Sequence, residues 1–135
     1  MDRRMSRVAS LFERALDAIR RDCPAAWTEL VRVAGTLAVS FEIDEERFAV
    51  VGTSRELRVE RARPIGEGVH IRTTVQRLCD LIMGETGLVD SIERDDVFVR
   101  GAPSDLVVVD RLTWLAVAGA ARSPSAAPLL EELLA

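Results

Sequence analysis

Residues 36–43 read TLAVSFEI, and the spacing of their apolar side chains decides the fold class. Leu37, Val39, Phe41 and Ile43 alternate with Thr36, Ala38, Ser40 and Glu42. Side chains on a strand point to opposite faces in turn, so a period of two describes a strand with one buried and one wet face. The pattern recurs downstream. After a turn at Asp44-Glu45-Glu46-Arg47, extended structure resumes over residues 48–53. In residues 56–60, Leu57 and Val59 oppose Glu56, Arg58 and Glu60. Beyond Pro64, Gly66 and Gly68, Val69 and Ile71 face in while His70 and Arg72 face out. Alternation this clean predicts an antiparallel sheet, because parallel strands are covered on both faces and read as continuous apolar runs.

Helical spacing flanks these strands. Val8, Leu11, Phe12, Ala15, Leu16 and Ile19 recur every three or four residues and predict an amphipathic helix over 3–21. Asp22-Cys23-Pro24 breaks and restarts the chain, with Asp22 as a nearby cap and Pro24 in the first turn of a second helix. That helix carries Trp27, Leu30, Val31 and Val33 toward Gly35. Thr73-x-x-Gln76 is a capping box opening a helix whose apolar stripe is Val75, Leu78, Cys79 and Ile82, with Gly84 as its C-terminal cap. Thr86 opens a short helix with Leu88, Val89 and Ile92, and residues 95–100 form a last strand closed by Gly101. A long helix runs from Pro103 to about Ala121. Between Leu106 and Ala121 only Asp110, Arg111 and Thr113 interrupt its apolar surface, so it should be covered on most sides. Pro128 leads into a leucine-rich end, Leu129 to Leu134. With no repeat and no dividing linker, residues 1–135 read as one domain. It comprises N-terminal helices over 1–34, a core over 36–121 and a helical tail over 123–135.

The chain has 135 residues, 22 acids and 18 bases, for a net charge of −4. A domain of this size buries roughly 70% of its unfolded surface, enough for a real core. Every base is Arg; Lys, Asn and Tyr are absent and His70 is the single histidine. Those absences exclude Schiff-base and P-loop lysines, a tyrosine acid and any two-histidine metal site. Since Lys, Asn and Tyr have AT-rich codons, the bias is read as GC-rich, bacterial coding. Residues 1–34 carry +2 and residues 35–135 carry −6, far from the basic footprint of a nucleic-acid binder. No apolar run approaches the roughly 18 residues that span a membrane. Glu13 and Asp17 interrupt the segment behind Arg3, Arg4 and Arg7, which argues against secretion and makes a cytoplasmic location the expectation. Cys23 and Cys79 share no short motif and are expected to be reduced thiols.

Candidate chemistry is sparse. His70 lies on an outward strand face, and Cys79 sits on an apolar stripe with no base at hand. The acids at 44–46 and 95–96 occupy turns or strand edges, where solvated carboxylates are ordinary, and neither has calcium-loop spacing. Gly66-x-Gly68 lies between strands, so it is a turn and not a dinucleotide fingerprint. No cofactor is implied, and the chain is not expected to be an enzyme. What stands out is apolar surface in excess, over residues 75–92, 97–99 and 106–121.

The order of elements, and the runs TVQRLCDLIMG (74–84), LVDSI (88–92), VFVRG (97–101) and SDL (104–106), resemble the type-2 sterol-binding domains of the sterol carrier protein family. The resemblance covers roughly residues 36–120. The chain departs from the family at Arg94-Asp95-Asp96, where members often have Gly before the last strand. It departs again at Gly101-Ala-Pro-Ser-Asp105, where Gly is often followed directly by Asp. The resemblance implies an α+β fold: a mainly antiparallel, five-stranded sheet with helices on one face and an apolar tunnel between them for acyl chains, sterols or other lipids. Carried onto this chain, the lining would be Leu78, Ile82, Leu88, Ile92, Phe98, Leu106, Val109 and Leu112, with Arg77 or Arg100 receiving a ligand carboxylate. The expected partner is thus a lipid or other hydrophobic small molecule. The alternative is an interaction or chaperone-like module, a homodimer using the apolar groove, the final long helix and the leucine-rich tail for a partner. A third reading, an enzyme, would need a metal at the acids of 44–46 or 95–96.

Overall fold

The computed structural model describes residues 7–61, 68–82 and 97–134. Two helices lead, α1 (Arg7–Asp22) and α2 (Pro24–Ala34), followed by strands β1 (Ala38–Ile43), β2 (Glu46–Gly52), β3 (Leu57–Glu60) and β4 (Val69–Thr73). Then come α3 (Val75–Ile82), β5 (Phe98–Arg100), α4 (Pro103–Ala121) and α5 (Ala127–Leu134). The helix predicted over 86–92 and its residues Leu88 and Ile92 lie outside the described residues, as do Gly84, Asp95 and Asp96.

The five strands form one sheet in the order β3-β2-β1-β4-β5. β1 pairs antiparallel with β2, matching Phe41 to Phe48, and β2 pairs antiparallel with β3, matching Val50 to Val59. β4 and β5 are also antiparallel, but β1 and β4 run parallel, with Phe41 opposite Ile71 and Ile43 opposite Thr73. The sheet is therefore mixed, which corrects the antiparallel expectation. Alternation reports which face is buried; it carries no information about strand direction when one face of a parallel pair stays wet.

Val39 and Ile43 of β1, Phe48 of β2, and Val69 and Ile71 of β4 all point to the inner face and are buried. The helices cover that face. Val8 and Leu11 of α1, Cys79 of α3, and Leu129 and Leu133 of α5 pack with Ile43 and Phe48, while Val109 of α4 packs with Val39 and Ile71. Phe12, Phe41 and Phe48 stack into one cluster, with ring centroids 4.9–5.2 Å apart. On the outer face, among the described residues, only the small patch Ala38, Ala49 and Val51 is buried.

The acidic run at the β1–β2 turn does structural work that its composition hides. Asp44 takes a left-handed conformation, φ 53°, and its carboxylate accepts the Val75 amide N–H at 3.4 Å, at the start of α3. Glu46 is buried, and its carboxylate accepts the amide N–H groups of Val8 at 2.8 and 2.9 Å and of Ala9 at 3.3 Å. The first turn of a helix has N–H groups with no partner in the helix, and its dipole favours a negative charge there. Glu46 therefore caps α1 from 38 residues away, in place of the solvated role expected for it.

Other caps shift by one residue or change partner. Thr74, not Thr73, accepts the Arg77 N–H at 3.2 Å and starts α3. Asp22 does not cap α2. Its carboxylate accepts the Ser123 hydroxyl at 2.6 Å and the Ser125 N–H at 3.1 Å, pinning the α4–α5 turn to the end of α1. Those hydrogen bonds hold the Asp22 carboxyl below its ordinary range. α4 crosses α1 and α2 at Gly119, where a Cβ would stand 3.2 Å from Ile19 Cγ2 and 3.5 Å from Ala26.

Candidate functional site

Between the sheet and the helices the packing is incomplete, and a cavity of about 280 Å³ remains. Interiors of native density leave few voids larger than a water molecule, and pockets for small molecules span roughly 300–1,000 Å³. The cavity sits at the lower edge of that range and is far too large for a packing defect.

Most elements contribute to the wall through residues their own pattern already turned inward. The sheet supplies Val39, Phe41, Val50, Leu57 and Ile71. α1 supplies Leu11, Phe12, Leu16 and Ile19, one stripe of its amphipathic surface. α4 supplies Val109, Leu112, Thr113, Ala116 and Val117, spaced so that consecutive turns face the same way. Leu78, Leu81 and Ile82 of α3 and Leu129, Leu130 and Leu133 of α5 complete most of the enclosure. Among the described lining residues only Thr73 and Thr113 carry a polar side-chain atom, and none is charged. The Thr113 hydroxyl donates to the Val109 carbonyl at 2.8 Å.

The expected lining residues are distributed unevenly. Leu78, Ile82, Val109 and Leu112 stand in the cavity wall. Leu106 instead packs against the Val39, Val69 and Val109 cluster. Phe98 is 55% exposed on the outer sheet face, with the Arg72 guanidinium 5.1 Å from its ring centre. Arg100 is exposed and pairs across the sheet with His70, while Phe98 pairs with Arg72, so both residues face away from the cavity. This corrects their placement at the tunnel and its mouth. The signal was in the sequence: Arg100 follows Phe98 by two positions, so the two share a strand face, and Val97 and Val99 take the other. Arg77 is exposed on α3 and is not among the cavity-lining residues.

The contributions of α1 and α5 were missed, although their periodicity marked the stripes involved. Nothing local says that a stripe 60 residues away faces the same void. α5 docks within its own chain. Leu129 and Leu133 are buried, Arg14 pairs with Glu132 at 2.5 Å, and Arg7 donates to the Glu132 and Leu133 carbonyls. Of the tail leucines expected to face a partner, Leu129 and Leu133 are spent on this core. α4 is not covered on most sides either, since Val107 is 70% and Trp114 56% exposed.

Among the described residues that line the cavity there is no His, Cys, Asp or Glu. Among the described residues no cluster of three or more His, Cys, Asp or Glu side chains could hold a metal ion. Cys79 is buried and its thiol is pushed up by that burial, which leaves it a poor nucleophile. No helix among the described residues is long and apolar enough to cross a membrane.

The fold is also found in proteins of known structure. The sterol carrier protein domain 2 of Helicoverpa armigera superposes with a TM-score of 0.62 over 87% of this chain and 94% of its own, at 12% identity. The fold is that of sterol carrier protein 2. The apo form of sterol carrier protein 2 from Yarrowia lipolytica shares the sterol-carrier fold at a TM-score of 0.54 and 13% identity, covering 75% of this chain and 88% of that one. A stereoselective inverting sec-alkylsulfatase from Pseudomonas contains it as well, at a TM-score of 0.50 and 16% identity, but the match covers 64% of this chain and only 14% of that enzyme. No protein-family model and no curated protein matches the sequence. At these identities the likeness is one of fold.

Proposed function

We propose that the protein binds a lipid or another hydrophobic small molecule in the cavity, as a non-catalytic carrier. The observation that carries this reading is the cavity itself: about 280 Å³ between sheet and helices, with an almost wholly apolar wall. Each methylene moved from water into such a lining contributes about 0.8 kcal/mol, so a chain of modest length needs no ionic partner to bind. An apolar void of this kind stays dry and is readily filled by an apolar guest. The names of the structural neighbours, two of them sterol carrier proteins, support the same reading.

Native mass spectrometry of the purified protein, followed by organic extraction, tests it. The expected result is a bound hydrophobic species, or a protein that takes up an added acyl probe at one site. A ligand-free protein that binds no such probe would contradict the proposal.

A further inference from the structure

α4 carries a second surface, on the side turned away from the cavity. A helix this apolar on every side is normally covered all round. Beyond Pro103, the exposed residues of α4 are Ser104, Val107, Arg111, Trp114, Ala118 and Ala121, and every other residue of the helix is buried or half-buried. Their spacings alternate between three and four, the repeat that keeps one seam of a helix facing a second helix along its length. Val107 and Trp114 are two of the three large apolar side chains left exposed among the described residues, and they stand on this one seam. Apolar exposure gathered in a patch, unlike singly scattered residues, marks a surface that meets something.

The seam is complementary to itself in one orientation. Set parallel, two copies would bring Arg111 against the partner's Arg111, like charge on like. Set antiparallel, about a two-fold axis between Arg111 and Trp114, each copy places Arg111 against the partner's Trp114. Val107 then meets the partner's Ala118, and Ser104 meets the partner's Ala121. A large side chain faces a small one at the flanking level, and a guanidinium faces an indole ring, whose quadrupole attracts it, at the central one. Arg111 also keeps Glu29, 3.1 Å away, so its charge is not left bare as the seam closes. We propose that α4 is the seam of an antiparallel homodimer of this chain, with Trp114 as its anchor. Val109, Thr113 and Ala116 line the cavity from the opposite side of the same helix, so the two surfaces do not compete. One helix pair falls at the small end of specific interfaces, which bury about 1,200–2,000 Å², so the dimer forms at micromolar concentrations.

Sedimentation velocity of the full chain from about 1 to 500 μM tests this, with far-UV circular dichroism confirming the fold of each variant. The expected result is a mass that rises from monomer to dimer across the series. Trp114→Glu should weaken the dimer at least about tenfold. Phe98→Glu, at the exposed phenylalanine of the outer sheet face, should leave it within about twofold. Val107→Arg and Ala118→Glu test the register. Each alone puts a charge into the seam and should weaken the dimer. Their equimolar mixture sets the two new charges opposite each other and should associate at least about fivefold more tightly than either variant alone. A chain that stays monomeric throughout, a dimer untouched by Trp114→Glu or abolished by Phe98→Glu, or a mixture that associates no better than its components would overturn the inference.

Discussion

Two phenylalanines on opposite faces of one sheet meet opposite fates. Phe48 on β2 is 4% exposed, packed between Phe12 and Phe41 under α1. Phe98 on β5 is 55% exposed and has the Arg72 guanidinium over its ring. The residue type is the same, and both side chains stand on strands of one sheet, Phe48 on an interior strand and Phe98 on an edge. The difference lies in whether helices cover the face. Along β4 the same rule acts residue by residue: Val69 and Ile71 are buried, and Arg72 between Ile71 and Thr73 is exposed. The inner face supplies both the stability of the fold and the wall of the cavity, while the outer face is free to carry charge.

Truncation should separate the two faces most sharply. Phe48→Ala removes a buried ring from the aromatic cluster and should cost about 3–5 kcal/mol in denaturant unfolding. Next comes Glu46, the charged group buried on the inner side. Glu46→Ala leaves the Val8 and Ala9 amides without their acceptor and should cost about 1–3 kcal/mol. Amide exchange at Val8 and Ala9 should accelerate more than at the middle of α1.

Asp22, on the exposed rim, distinguishes itself by pH dependence. Its carboxyl is depressed by the Ser123 hydrogen bond first and the Ser125 bonds next. A group with a depressed folded-state pKa adds stability above its unfolded value, and that stability is lost as pH falls through the folded one. Asp22→Asn should therefore lie below wild type at neutral pH, with the gap closing on acidification from about pH 4 downward. A gap that widened in acid would show that the carboxylate is not the stabilising form. Phe98→Ala on the outer face should change stability least, by at most about 1 kcal/mol, the size of an exposed cation–π contact.

The fold was legible wherever a period reports burial. The alternation in residues 36–43 and 69–73, and the stripe of α1, mark the inner face before any tertiary contact is known. Two kinds of information were not local. The parallel pairing of β1 with β4 leaves no trace in an alternating pattern, and the Glu46 cap depends on a helix end 38 residues away. The candidate site was legible in part. Leu78, Ile82, Val109 and Leu112 follow from apolar helix stripes, and they stand in the cavity wall. Phe98 was placed in the lining by the family resemblance, against the strand parity that groups it with Arg100. The walls from α1 and α5 were overlooked because each stripe, read alone, is satisfied by an ordinary core.

The central claim is that the space behind the inner face receives a hydrophobic ligand. It is tested most directly by titrating diphenylhexatriene into wild type, Ala116→Phe and Phe98→Ala, with far-UV circular dichroism confirming the fold. Ala116 lines the cavity, so a ring placed there occupies the space the probe would take. The expected result is saturable binding to wild type, a loss of at least about tenfold in affinity for Ala116→Phe, which removes several methylenes' worth of burial, and an affinity within about twofold of wild type for Phe98→Ala. Binding that survives the filling of the cavity, or that disappears with the outer phenylalanine, would contradict the account.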